Sequence, residues 1–189
     1  MNSDAQRELI PRDATLHLIG ALDDMKAKLL DAAEQWQLLD ETGHVPATPS
    51  YANLLQHAAD AQALSRDVVR MTAEFARTAH STNRACSAVL AHLAAAATTS
   101  SHAAPYFAET AERALSLPRS SSPTDRHHRD NRMVIDHATA RAYLRRTSQS
   151  LRDAVKELDA HLDFHRFFPT PSRRESPAPP PPRPSARHR

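Results

Sequence analysis

Two glycines, one cysteine, one tryptophan and three lysines are all that this chain of 189 residues contains of those types. With glycine only at Gly20 and Gly43, neither a dinucleotide-binding fingerprint nor a phosphate-cradling loop can be written on it. A G-x-S-x-G elbow is also missing, which removes the commonest strand-to-helix nucleophile. The lone Cys86 excludes an internal disulfide and suits a reducing compartment. Nor is there an apolar run of the ~20 residues that a membrane span needs. The most apolar stretch, 85–97, is interrupted by His92. Met1-Asn2-Ser3-Asp4 opens no basic region followed by an apolar one, so no secretory signal is expected, and the expected location is cytoplasmic. No repeat of 20 to 50 residues is evident.

What the chain does have is alanine, 34 residues of it, against 33 of Leu, Ile, Val and Phe together. That apolar content is low, but the net charge is only +2 and the periodicity is strong, so a folded domain is expected rather than global disorder. Charge is unevenly divided: −5 over residues 1–118, +3 over 119–168 and +4 over 169–189. Such asymmetry fits an internal contact or an anionic partner for the tail, beside the ordinary reading of a solubilising tail. Arginine outnumbers lysine 21 to 3, a bias that suggests a GC-rich bacterial genome rather than a functional choice.

Helical spacing dominates the pattern. A stripe through Leu54, Ala58, Ala61, Ser65, Val68, Thr72, Phe75, Ala79, Thr82, Cys86, Val89 and Leu93 predicts one long Ala-rich helix over 50–97, opened by Thr48 as cap and Pro49 in the first turn. Before it, Asp13 is expected to cap a helix that buries Leu16, Ile19, Leu22, Met25, Leu29, Ala33, Trp36 and Leu39 and stops at Gly43. The polar run 98–101 predicts a turn, with Pro105 as the other place for a break. A third helix is expected from His102 to Leu117, with Tyr106, Phe107, Ala111, Ala114 and Leu115 inward. Residues 118–130 read as a mobile linker. Asp130 or Asn131 then caps a last helix that buries Val134, Ala138, Leu144, Leu151, Val155, Leu158 and Leu162. Phe164, Phe167 and Phe168 are expected to seal the bundle end, with an exposed docking patch next to the tail as the alternative. The fold class is all-α: an antiparallel bundle of three to four helices over 13–168, loosely ordered residues 1–12, and a disordered Pro/Arg-rich tail over 169–189.

Three constellations bear on chemistry. His161 and His165 are four apart, the spacing of a two-histidine metal site, but the Glu of a H-E-x-x-H is missing and twelve histidines give such a pair by chance. His127 and His128 fall in the expected linker. Arg132-Met133-Val134-Ile135-Asp136-His137 resembles the Arg-x(4–6)-His motif of HEPN-type helical ribonucleases. That resemblance implies His137 as general acid or base and Arg132 as a phosphate or transition-state stabiliser. It covers six residues, and Met133 stands where that family usually has a polar residue. The same spacing recurs at Arg12–His17 and Arg183–His188, about as often as this composition gives unaided.

A basic series, Arg119, Arg126, Arg129, Arg132, Arg141, Arg145, Arg146 and the tail arginines, supplies phosphate-directed charge but no interleaved aromatic stacking platforms. No residue is assigned as catalytic, cofactor-binding or metal-ligating, and no cofactor is expected. The reading is a non-enzymatic helical bundle acting through an unknown protein partner or self-association, with no membrane role. The alternatives are a nucleic-acid-associated accessory protein using the basic carboxy-terminal third and, more distantly, a HEPN-like ribonuclease.

Overall fold

The computed structural model describes residues 10–78, 81, 84–119 and 122–167, with side chains excepted at 84–85 and 164–167. Helix α1 (Arg12–Gln35) starts behind Pro11, whose carbonyl accepts the Thr15 N–H at 3.0 Å and its hydroxyl at 3.2 Å. Its buried face runs through Leu22, Met25, Leu29, Ala32 and Ala33. The helix stops four residues short of the expected Leu39, where Trp36 turns to extended backbone. Leu16 and Leu39, expected inward, are 47% and 39% exposed.

Gly43 does take the left-handed conformation, φ +80°, but in the loop after α1 rather than at its cap. Asp40 closes that loop by accepting the Thr42 hydroxyl at 2.6 Å and the His44 N–H at 3.1 Å. These bonds hold its carboxyl below the usual range.

The expected single helix over 50–97 is two helices, α2 (Tyr51–Ala76) and α3 (Arg84–Ser100), that run antiparallel. Ser50, not Thr48, is the cap, accepting the Asn53 N–H at 3.4 Å. The stripe is nonetheless correct in its inward residues: Leu54, Ala58, Ala61, Ser65, Val68, Phe75, Cys86, Val89 and Leu93 are all buried. A helix and a helical hairpin with the same interior share one 3–4 period, so the pattern alone does not reveal the reversal. At the reversal Arg77 and Thr78 bond back to the last carbonyls of α2, ending its ladder. Ala79 and Thr82 lie outside the described residues.

Only Ser101 and His102 separate α3 from α4 (Ala103–Ser116), so the expected turn is a kink within one column and not a reversal. Pro105 sits in the first turn of α4, where its missing N–H costs no intrahelical bond. After a short 3-10 turn (Leu117–Arg119), α5 (Pro123–Phe167) runs 45 residues. That is about 67 Å of helix. Ser122 caps it, accepting the Asp125 N–H at 3.1 Å, with Pro123 in the first turn. Residues 123–130, expected as linker, are therefore its first two turns, and neither Asp130 nor Asn131 is a cap.

The four columns α1, α2, α3–α4 and α5 form an antiparallel bundle. Helix α5 packs along α1, α3 and α4, while α2 packs along α3 and α4; α1 and α2 stay further apart. Leu22, Leu29, Leu93, Phe107, Leu144 and Leu158 are fully enclosed. Where the core is built of small residues, hydroxyls tie the columns together. Ser100 donates to the Ala97 carbonyl at 2.9 Å, so the 3.0 Å Ser65–Ser100 contact has Ser65 as donor. Thr147 of α5 donates to Thr99 at 3.1 Å. Among the described residues no helix is long and apolar enough to cross a membrane.

Candidate functional site

The first half of α5 buries residues that hydrophobicity does not flag. Met133, Asp136, His137 and Ala140 face inward, whereas Ala138, expected inward, is exposed and Val134 is only half-buried. Asp136 is 1% exposed and its two oxygens are shared between Arg113 of α4 at 3.2 Å and Arg132 of its own helix at 3.3 Å. Neither oxygen makes an aligned hydrogen bond, so the contact is ionic. The Arg132 spacing is a readable i,i+4 pair; Arg113 could not have been read from the sequence.

One residue further, His137 enters an aromatic cluster. Its ring centroid lies 5.2 Å from Phe107 and 6.2 Å from His57, and His57 stacks on Trp36 at 5.0 Å with 6° between the planes. Burial pushes the His137 imidazole down to about 4, with His57 and Arg141 as lesser causes. His57, half-buried, is lowered by the same desolvation. Both rings are therefore neutral at pH 7, and His137 Nε2 and His57 Nδ1 have no hydrogen-bond partner. The cluster bolts three columns to the end of α1, and Arg141 closes it by donating to the Ala33 carbonyl and to Gln37 Oε1.

The structure separates the residues that the ribonuclease resemblance would join. Five residues apart on a helix means about 140° of rotation. Arg132 is accordingly 56% exposed and ion-paired, while His137 is buried among rings.

His161 is also structural: its Nε2 accepts the Ile10 N–H at 3.0 Å, tying the start of α1 to the far end of α5. The His165 side chain lies outside the described ones, as do those of Phe164 and Phe167 and all of Phe168. Among the described residues no group of three or more His, Cys, Asp or Glu could hold a metal ion. Cys86 is fully buried, and burial pushes its thiol up, away from the reactive thiolate.

Several arginines of the basic series are engaged internally. Arg126 donates to the Ala47 carbonyl at 2.9 Å, Arg129 to that of Ser116 at 3.4 Å, and Arg146 lies 5.9 Å from the Tyr143 ring centroid. With Arg132 and Arg141 that accounts for five, of which Arg126, Arg132 and Arg146 stay exposed, as do Arg119 and Arg145. The tail arginines lie outside the described residues.

The outer side of α2, α3 and α4 is different in kind. From 85 to 108 the sequence has no Asp, Glu, Lys or Arg, although these make up 24% of the chain. Ala91, Ala94, Thr98, Ser101, Pro105 and Ala108 recur at alternating steps of three and four and are all exposed. Leu115 continues the same line, 51% exposed. Beside it on α2 stand Tyr51, Leu55 and Val69, at 38%, 45% and 48% exposure. A cleft of about 520 Å³ opens between the two columns, walled by Leu55, Ala59, Ala104, Pro105 and Ala108. The inward spacing of 85–97 does not reveal this face, and Leu115, expected in the core, lies on it; the run without charge is its signal in the sequence. No protein-family model matches this chain, and no curated protein or solved structure is similar to it.

Proposed function

We propose that this protein is a non-enzymatic helical bundle that works by protein–protein contact through the α2–α3–α4 face, in a bacterial cytoplasm. One observation carries the reading: an exposed line of small, uncharged residues with helical spacing on a two-column surface that also exposes Leu55, Val69 and Leu115. A surface helix normally turns charges to water; a 24-residue run without one suits close approach by another helix. Small side chains allow that approach, and the larger residues beside them supply apolar area.

The nucleic-acid reading draws less support, since five arginines of its basic series already have intramolecular partners. The ribonuclease reading rests on a histidine that is 2% exposed.

The test is a photo-crosslinking side chain placed singly at Ala94, at Ala108 and, as a control on α1, at Asp24, in the full chain expressed in bacterial cells. Adducts to protein from the first two positions and none from Asp24 are expected. No adduct at Ala94 and Ala108, or equal yield at Asp24, sinks the contact reading.

A further inference from the structure

We infer that the occupant of the α2–α3–α4 face is a second copy of this chain, laid antiparallel across a twofold axis; this rests on the contact reading above. A face that meets its own image must not set like charges against each other, and the centre of this one carries none.

Its ends carry opposite signs. Glu112 lies toward the α4 end, and Arg66 on α2 lies toward the other, past the cleft between Leu55 and Ala108. Two further charges near these ends are already paired within the chain, Glu109 with Arg113 at 3.6 Å and Arg70 with Asp67 at 2.9 Å. A twofold axis lying in the face and crossing that cleft inverts one copy end for end. Glu112 then comes level with Arg66 of the second copy, on the neighbouring column. A parallel dimer, with its axis along the bundle, leaves the acidic ends level with each other.

Shape follows the same operator. Inversion sets the exposed Leu115 over the small Ala94 of the second copy and Tyr51 beside its Val69, while Pro105 meets Ala104 across the axis. Leu115 thus falls on a small residue, as interdigitated packing requires, and Tyr51 and Val69 add apolar contact at the edges. The α3–α4 columns run antiparallel against each other, which also opposes their helix dipoles favourably.

Area agrees. The stripe from Ala91 to Leu115 is about 36 Å long and two columns about 20 Å wide, or about 700 Å² per copy, close to the ~800 Å² that each partner gives to a standard interface.

The test uses the purified full chain in analytical ultracentrifugation from about 1 to 100 μM. The expected result is a species of twice the 20.9 kDa monomer mass. Ala94→Glu and Ala108→Arg should each weaken dimerisation at least 100-fold, with far-UV circular dichroism unchanged because both positions are exposed, and with the thermal midpoint unchanged only at concentrations where the wild type is itself monomeric. Asp24→Lys should have no effect. Glu112→Arg and Arg66→Glu should each weaken the dimer, and the two together should restore part of it, an outcome a merely disturbed helix would not give.

A wild-type chain that is monomeric at about 100 μM overturns the proposal, as does a dimer indifferent to Ala94→Glu. The crosslinks separate the two levels of failure. Adducts from Ala94 and Ala108 whose mass shows a different protein end the self-association reading and leave the contact reading standing; no adducts end both.

Discussion

The Asp136 carboxylate lies 3.2 Å from Nη1 of Arg113 and joins α5 to α4 at a point where only 1% of the Asp136 side chain meets solvent. Arg132 touches the other oxygen at 3.3 Å but is itself 56% exposed. The two arginines are thus unequal partners of one buried charge. Removing Arg113 strands most of that charge away from water, which costs about 3 kcal/mol. Truncating Arg132 removes a cation that is more than half in water and leaves Asp136 its Arg113 partner, a loss of less than about 1 kcal/mol. Urea unfolding of Arg113→Ala and Arg132→Ala should therefore rank in that order; equal losses would show that Arg132, not Arg113, neutralises Asp136.

His137 makes stability depend on pH with a definite sign. Its folded value is about 4 and its ordinary value 6.5, so between these the unfolded chain binds a proton that the folded chain refuses. Stability therefore rises with pH across that window, is fully present above about 6.5, and is lost as pH falls toward 4. The difference corresponds to on the order of 3 kcal/mol. Replacing His137 by Leu should flatten the acid side of a plot of urea midpoint against pH between 4.5 and 7. An unchanged slope would assign the acid sensitivity to His57 or to carboxylates.

How far the sequence could be read depends on whether a residue's burial follows from its own hydrophobicity. Leu22, Leu29, Val68, Val89, Leu93, Leu144 and Leu151 sit inward where periodicity puts them, because nothing competes with their burial. The reading fails where partners distant in sequence decide. Asp136 and His137 turn inward because Arg113, Phe107 and His57 wait there, and that rotation leaves Ala138 outside. The reversal after Ala76 and the start of α5 at Pro123 were hidden for another reason. Polar residues there read equally well as helix surface, turn or linker, and only the bonds that end one helix at Thr78 and begin the other at Ser122 separate these. The outer face was legible in principle as missing charge, but over 91–108 inward and outward positions alike are rich in Ala, Ser and Thr, so spacing alone does not tell the two faces apart.

The single tryptophan reports on the aromatic cluster. Trp36 stacks on His57 at 5.0 Å, and a protonated imidazole quenches an indole in contact with it. Burial lowers the His57 value below 6.5, so Trp36 emission should fall on acidification with a midpoint below that pH, while far-UV circular dichroism still shows the native fold. In His57→Gln the step should vanish. A step that persists in that variant would place the quencher elsewhere.

Phe75 tests the inward face of α2 where the bundle is least closed. Its side chain is 5% exposed, yet it also lines a cleft of about 260 Å³ between α1 and α2, together with Ile10, Leu18 and Met71. Two effects oppose each other in Phe75→Ala. Deleting a buried ring costs on the order of 3–5 kcal/mol when the surroundings cannot collapse. Here α1 and α2 are not in close backbone contact, so Leu18 and Met71, both half-buried, have room to move into the space. The expected loss is therefore about 3 kcal/mol, at the lower end of that range, and Phe107→Ala, in the fully enclosed centre, should cost more. Equilibrium unfolding of both variants decides the matter. A loss below about 1 kcal/mol for Phe75→Ala would mean that α2 turns another face to the core, and a loss equal to that of Phe107→Ala would mean that the α1–α2 side is as closed in solution as the rest of the bundle.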